Sequence, residues 1–363
     1  MTSSLSLREI FIEDVPLIDV RAPVEFARGA FPAATNLPIL NDAEREQIGI
    51  CYKTKGADAA VKLGHALVSG NARQYRVHQW TEFIDTHRNA HLYCFRGGQR
   101  SRIAGHWLSQ AGYPIPRIDG GYKVMRRYLI DSLSRLPDVV ILAGKTGVGK
   151  TRVLHLLADT EGASVIDLEF LANHRGSAFG KRISAQPSQI SFENALAVAF
   201  MKTTNPVVFL EDESRMIGRV NLPLPLQEKM KSAPILVMED SMTRRVSRIH
   251  KEYIVEMQQE LLDYHGVEAV ALEAHRDSFL SSIDAIRKRL GGDRHREVRK
   301  LMDQAFNAQA RGDLSLHDRW IEQLLIHYYD PMYEYQLSQK SDRVRFKGNA
   351  DEILTRAPAL LCR

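Results

Sequence analysis

The octapeptide Gly144-Lys145-Thr146-Gly147-Val148-Gly149-Lys150-Thr151 directly follows the continuous apolar run Val139 to Ala143. No other stretch constrains the chain as much. It satisfies the spacing G-x-x-x-x-G-K-[ST] in the order strand, loop, helix that gives the pattern its meaning. A short apolar run of this kind reads as a strand buried on both faces, and such strands belong to parallel sheets covered by helices. Gly144, Gly147 and Gly149 let the backbone wrap phosphate oxygens. Lys150 neutralises their charge, and the Thr151 hydroxyl can reach Mg²⁺. The bland alternative, a glycine-rich turn without a ligand, is set aside because motif and context agree. Residues 144–151 are therefore the expected phosphate-binding set.

Three further stretches belong with this loop. A second strand is expected at Ser164 to Leu168. A third, V-V-F-L-E-D-E-S at 207–214, ends in acids as a metal-supporting strand does. Either Glu211 or Asp212 can hold a metal-bound water, and the spacing does not choose between them; Glu213 reads as a solvated surface acid. Between these strands, D-L-E-F-L-A-N-H-R-G-S-A-F-G at 167–180 sets His174 and Arg175 beside Gly176, Ser177 and Gly180. An arginine there can clamp a diphosphate bidentately, at the carboxyl ends of strands where α/β sheets bind ligands. After a strand at Pro234 to Met238 the chain reads as helices to its end. Arg244, Arg245, Arg248 and Lys251 mark one helix, and Arg287, Lys288, Arg289, Arg294, Arg296, Arg299 and Lys300 the next region. Charge runs ordinarily mean a solvated face. Here the arginine excess also suits an RNA backbone, with Arg244 and Arg245 as candidate diphosphate or RNA contacts. Trp320, Leu324 and Leu325 read as core, while Tyr328, Tyr329 and Tyr333 are open between core and base stacking.

A second chemical centre lies at Leu92 to Ser101, L-Y-C-F-R-G-G-Q-R-S. Cys94 follows a short apolar strand expected at Ala90 to Cys94. Arg96 and Arg100 supply positive charge, and Gly97 and Gly98, with Gln99, let the backbone curl into an anion-binding nest. A helix expected from Ser101 to Ala111 would add its N-terminal N–H groups. A thiol so placed is stabilised as the thiolate, the nucleophilic form; the alternative is a small buried hydrophobe. His65, in V-K-L-G-H-A-L-V-S-G, reads as structural.

At 363 residues the chain is long enough for two or three domains. Its formal charge of +5 permits a nucleic-acid partner without demanding one. Cys51, Cys94 and Cys362 are too few and too scattered for a disulfide scaffold or a zinc site. That usage suits a reducing cytoplasm. The N-terminus lacks a signal-peptide pattern, and no apolar run is long enough to span a bilayer.

Taken as patterns, these strings carry family resemblances. D-V-R-x-P-x-E-F-x-x-G-x-x-P-x-A-x-N-L-P, with Asp19, Arg21, Glu25, Gly29 and Asn36, resembles the opening signature of rhodanese-type sulfurtransferase domains. R-I-D-G-G-Y-K-V-M-R-R-Y at 117–128 resembles their closing element more loosely, because Tyr122 stands where less bulk is expected. Cys94 and Arg100 are spaced C-x5-R, one residue longer than in common single-domain sulfurtransferases and similar to dual-specificity phosphatases. That spacing argues for an anion larger than a persulfide. Joined to L-A-G-K-T-G-V-G-K-T, E-D-E-S-R-M-I-G and Y-Y-D-P-M-Y-E-Y-Q-L, the whole chain resembles the tRNA 2-selenouridine synthases.

The resemblance implies an α/β protein with three regions. These are an N-terminal rhodanese-like α/β domain at 8–134, a central P-loop NTPase-like parallel-sheet domain at 135–240, and a helical, basic C-terminal region at 241–363 packed on the P-loop domain and contacting tRNA. It implies a cytoplasmic transferase, expected as a monomer, that converts wobble 2-thiouridine of tRNA to 2-selenouridine. Selenophosphate and geranyl diphosphate would be its co-substrates, and a geranylated 2-thiouridine its intermediate. Cys94 would carry selenium or attack the donor, and the P-loop would bind the geranyl diphosphate, with Mg²⁺ as an accessory and no certain metal ligand. The alternatives are a sulfurtransferase or phosphatase coupled to a nucleotide-hydrolysing module, or a nucleotide-gated RNA-binding regulator.

Overall fold

The computed structural model describes residues 5–159 and 163–357, so Cys362 lies outside the described residues. The chain divides into two compact units rather than the three expected regions. Unit 1 comprises 1–135 with 187–202, and unit 2 comprises 136–186 with 203–363. The chain thus leaves the second unit once, to place the helix Gln189–Lys202 in the first. That helix is held there by Arg126, which pairs with Glu193 and donates to Asn194 Oδ1 at 2.8 Å. Asn194 in turn donates to the Ala30 carbonyl at 2.8 Å.

Unit 1 is built on a parallel sheet of β1 (Leu17–Asp19), β2 (Ala34–Asn36) and β3 (His91–Tyr93), in the order β2-β1-β3. The segment 41–79 forms helices Asp42–Lys55 and Ala57–Leu67 and the first part of Gly70–Thr86. The first of these starts in a capping box between Asn41 and Glu44, which satisfies two orphan N–H groups reciprocally.

At the end of β1 the signature residues form one buried network. Arg21 is 2 % exposed and Asp19 fully buried. Arg21 Nη2 donates to Asp19 Oδ2 at 2.6 Å and to the Gly29 carbonyl at 2.8 Å, and its guanidinium lies 3.8 Å over the Tyr122 ring. The Tyr93 hydroxyl donates to Asp19 at 2.7 Å, and Asn36 Nδ2 donates to the carbonyls of Asp19 and Arg21. Gly29 is required by its neighbours, because a Cβ there would come 2.5 Å from Ile190 and 2.6 Å from the Tyr122 hydroxyl. Removing one partner of a buried ion pair strands the other charge, which costs ~3–5 kcal/mol. Arg21→Met is expected to destabilise unit 1 by about that amount; denaturant unfolding with an unchanged midpoint would show the network to be dispensable.

Unit 2 carries a five-stranded parallel sheet in the order β10-β9-β4-β6-β5. Its strands are β4 (Asp138–Gly144), β5 (Ser164–Ile166), β6 (Val207–Glu211), β9 (Ile235–Met238) and β10 (Val344–Gly348); β7 (Met216–Ile217) and β8 (Val220–Asn221) form a separate hairpin. β10 corrects the expectation of helices to the C-terminus. Residues 344–346 alternate half-buried Val344 and Phe346 with exposed Arg345, the period of two that an edge strand shows. Helices from Met242 to Ser338 make a second core around Phe279, Met302, Phe306, Trp320 and Leu324, into which the loop residue Phe179 inserts. Among the described residues no helix is long and apolar enough to cross a membrane.

Candidate functional site

The loop between β4 and the helix Lys150–Ala158 turns through Gly147 (φ 81°) and Gly149 (φ 88°), backbone that only glycine adopts cheaply. A Cβ at Gly147 would also strike Ile249 at 2.7 Å. The loop is tethered from outside. Arg245 Nε donates to the Thr146 carbonyl at 2.8 Å, Arg248 donates to the Gly147 carbonyl, and Lys145 Nζ donates to Glu334 at 2.6 Å. In a planar trans peptide the C=O and N–H point opposite ways, so holding the Thr146 carbonyl directs the Gly147 N–H away from Arg245. Arg245 is therefore no contact for diphosphate or RNA, as its place in a basic run suggested. It is buried, and Asp330 accepts from its Nη1 at 2.9 Å. Neither Asp330 nor its pairing was legible in sequence.

β6 lies directly beside β4, with Glu211 in register with Leu142. The Thr151 hydroxyl accordingly donates to Glu211 Oε1 at 2.5 Å. Asp212 lines the cleft, where it takes Lys340 Nζ on both oxygens at 2.5 Å and makes no contact with Thr151. The geometry thus separates two acids that the sequence left equivalent. Glu213 is not a solvated surface acid. Its N–H donates to the Glu211 carbonyl at 2.8 Å, a tight turn after the strand, and Glu169, Glu211 and Glu213 each bring a carboxylate oxygen within 4.8 Å of the others. Burial first, then repulsion from Glu211 and Glu213, pushes Glu169 up to about 9. Burial and Glu211 push Glu213 up to about 8, and burial raises Glu211 as well, with Lys150 opposing.

Asp167 caps the short helix Leu168–Leu171, accepting from the Phe170 N–H at 2.7 Å. This puts Glu169 under the loop that follows. Arg175 lines the cleft with its guanidinium 5.3 Å over the Tyr253 ring and Nη2 on Glu260 at 3.2 Å. His174 is buried, and its Nδ1 accepts from the Gly176 N–H at 3.2 Å. Burial, then Arg182 and Lys181, holds its pKa below the usual range. It shapes the turn and does not line the cleft.

The cleft measures about 530 Å³ and is faced by Lys150, Arg152, Arg175, Arg182 and Arg248, with Glu169, Asp212 and Glu213 on one side and Glu252, Glu256 and Glu260 on another, and with Tyr253, Tyr329 and Tyr333 along its side. Among the described residues, buried Arg175 Nη1, Glu211 Oε2 and Tyr333 Oη have no hydrogen-bond partner. Such orphans are rare in a finished core and common where a ligand completes the set. Two π-helical turns, His250–Glu256 and Leu325–Tyr329, supply Tyr253 and Tyr329, and π-turns recur at functional sites. Behind these tyrosines lies an apolar recess of about 30 Å³ against Phe179, Phe279, Trp320 and Leu324. Trp320, Leu324 and Leu325 are core, and Tyr328 and Tyr329 are also buried.

The Cys94 loop is a separate centre in unit 1. Cys94 is 3 % exposed, and its Sγ donates to Ser101 Oγ at 3.2 Å, which donates onward to the Gly98 carbonyl at 3.1 Å. Gly97 (φ 65°) packs on Gly120 and Gly121; a Cβ at Gly121 would lie 2.1 Å from the Cys94 carbonyl oxygen. The helix Gln99–Gln110 starts at the loop, leaving its first N–H groups without intrahelical partners. Arg96 is exposed, 5.8 Å over the Phe95 ring. Arg100 holds Glu25 through Nη1 at 2.5 Å and Nη2 at 3.1 Å. Burial would raise the Glu25 carboxyl, but Arg100, the Ala22 N–H and Arg45 keep it below its usual range.

Arg244 is exposed, 3.6 Å from Asp240. Arg287, Lys288, Arg289, Arg294 and Lys300 are exposed too, whereas Arg299 pairs with Asp284 at 2.6 Å and Arg296 with Asp293.

A five-stranded parallel sheet with the phosphate loop on its central strand and an acid-ended strand beside it defines a P-loop α/β protein, here carrying a second α/β unit with a buried cysteine. The family described as the tRNA 2-selenouridine synthase AAA domain matches residues 137–360. Proteins named tRNA 2-selenouridine synthase are similar over nearly the whole chain. That of Marinobacter nauticus is 48% identical, covering 95% of this chain and 94% of its own. Those of Pseudomonas fluorescens Pf0-1 and Pseudomonas syringae pv. tomato are 48% and 46% identical, covering 96% and 97% of this chain and 95% and 96% of their own. The chain belongs to the tRNA 2-selenouridine synthase family.

Proposed function

We propose that this protein is an enzyme that replaces the sulfur of wobble 2-thiouridine in tRNA by selenium drawn from selenophosphate. The sulfur first receives a geranyl group from geranyl diphosphate, which makes it the better leaving group. The observation that carries the reading is full-length identity of 48% to a protein named tRNA 2-selenouridine synthase. In the geranyl step the thiouridine sulfur forms a bond to C1 of the allylic donor, the C1–O bond breaks, and diphosphate departs. Charge grows on the departing diphosphate, where Lys150, Arg175 and the Gly147 N–H supply pre-placed positive groups. In the selenium step the Cys94 thiolate, in a rhodanese-like first unit, attacks the phosphorus of selenophosphate, with the glycine loop and Arg96 holding the donor anion; the P–Se bond breaks, the hydrogen selenide released adds at C2 of the base and expels geranylthiol, and water hydrolyses the S-phosphocysteine back to the thiol. The exposed basic residues from Arg287 to Lys300 suit the tRNA backbone.

Mg²⁺ fits the phosphate site. Its donors are hard oxygens, Thr151 Oγ1 and Glu211, and Glu211 Oε2 is buried without a partner among the described residues. When bound, the ion would screen the diphosphate. A ligand at a hundredfold excess over its Kd adds ~2.7 kcal/mol, a rise of about 5–10 °C for a unit of this size. Mg²⁺ is expected to raise Tm by up to that amount in wild type and not in Glu211→Gln. Equal shifts in both proteins would remove Glu211 from the site.

The test of the whole reading is mass spectrometry of nucleosides from 2-thiouridine tRNA incubated with the protein. Geranyl diphosphate alone should yield S-geranyl-2-thiouridine, and both co-substrates together should yield 2-selenouridine. Vigorous tRNA-stimulated ATP hydrolysis that requires Lys150, with no new nucleoside, would favour a nucleotide-driven module instead.

A further inference from the structure

Unit 1 contains an apolar pocket that the chemistry above does not use. It measures about 150 Å³ and lies between the helices Asp42–Lys55 and Ala57–Leu67 and the helix that follows the Cys94 loop. Ile48, Val61, Val68, Ile103 and Trp107 line it, with Gln99 and Arg100 among its walls. A cavity of ~150 Å³ with aliphatic and aromatic walls is large enough to take up benzene. The pocket is therefore of the right size for an isoprene unit, and more chain can follow exposed Tyr52 outward.

Its position sets it apart from ordinary surface hollows. Gln99, Ile103 and Trp107 follow one another at helical spacing on one face of the helix, while Ser101, in the first turn, bonds the Cys94 sulfur. Ser101 and the sulfur lie about half a turn round the helix from that face; what joins them to the pocket is the loop itself, whose Gln99 and Arg100 form part of the pocket wall, and the buried cluster in which Cys94 packs with the pocket-lining Ile39, Leu40, Val68 and Trp107. Trp107 is further fixed by the Trp80 ring at 6.3 Å and by Arg73, 4.7 Å over its face. The polar groups present, Gln99, Arg100 and His65, leave the interior apolar.

We infer that this pocket binds the S-geranyl group of the modified tRNA base while the base is presented to the Cys94 loop. The inference rests on the geranylated intermediate proposed above. It assigns the first unit a preference for the geranylated over the plain base, so that selenium is delivered only to a sulfur already primed to leave.

Gly64 faces the pocket from the helix Ala57–Leu67, and a Cβ there would meet only Ile48 Cδ1, at 3.4 Å. Gly64→Leu improves helix propensity while filling the space, and Val61→Trp fills it from the next turn. The probe is a synthetic anticodon stem–loop RNA carrying S-geranyl-2-thiouridine, compared with the same RNA carrying 2-thiouridine. Wild type is expected to bind the geranylated RNA at least tenfold more tightly. Both variants should lose that preference, keep wild-type affinity for the 2-thiouridine RNA, and geranylate it at the wild-type rate. Thermal melting checks that both remain folded. A preference that survives in two folded variants overturns the pocket assignment alone. If wild type shows no preference, the assignment also fails, and nucleoside analysis of the geranyl reaction shows separately whether the intermediate exists.

Discussion

Lys150→Ala is expected to slow formation of S-geranyl-2-thiouridine by about 10²–10³-fold, the cost of removing one pre-placed donor from a site of developing charge. Lys150 is the loop's cation. It lies close enough to oppose the upward push on Glu169, Glu211 and Glu213, and its Nζ also reaches the Gly144 carbonyl at 3.2 Å. Loss of the lysine leaves those carboxyls still able to hold protons, so the variant should remain folded. The effect should fall on the single-turnover rate more than on affinity for the RNA. Lys150→Arg should rescue poorly, because a planar guanidinium does not replace a compact ammonium inside the loop. Single-turnover geranylation with a melting curve for each variant tests this, and a Lys150→Ala protein working at the wild-type rate would place the donor elsewhere.

What could be read from the sequence depended on how local the determinants are. The phosphate loop was legible because eight consecutive residues and the strand before them carry all its chemistry. The Cys94 loop was legible for the same reason, although its arginines differ in a way sequence does not show: Arg96 is exposed, and Arg100 holds Glu25. The carboxylate cluster was only half legible. Glu211 ends a strand, but Glu169 arrives through a capped helical turn, and Glu213 through a turn that folds its side chain back toward the strand's end. Arg245 was misread because a buried arginine paired with a distant aspartate looks, in sequence, like any member of a basic run. β10 was missed because two alternating pairs inside a charged tail give a weak period, and only the free edge of β9 makes a strand of it.

Cys94→Ser is expected to abolish 2-selenouridine formation, by ~10³-fold or more as for other lost nucleophiles, and to leave geranylation within twofold of wild type. The substitution keeps shape and the hydrogen bond to Ser101, so the loop, its packing on Gly120 and Gly121, and the fold should persist. What changes is the atom: a serine hydroxyl is not appreciably ionised near neutrality and does not attack the donor as a thiolate can. Ser101→Ala isolates the supporting contact. It removes one hydrogen bond to the sulfur and should slow the selenium step far less than loss of the sulfur does. Running both variants on pre-geranylated RNA separates the two chemistries, because that substrate no longer needs the phosphate loop. A Lys150→Ala protein should then convert it normally, while Cys94→Ser accumulates it unchanged. Equal 2-selenouridine from wild type and Cys94→Ser would remove the sulfur from the selenium step and leave the glycine loop as an anion-holding nest only.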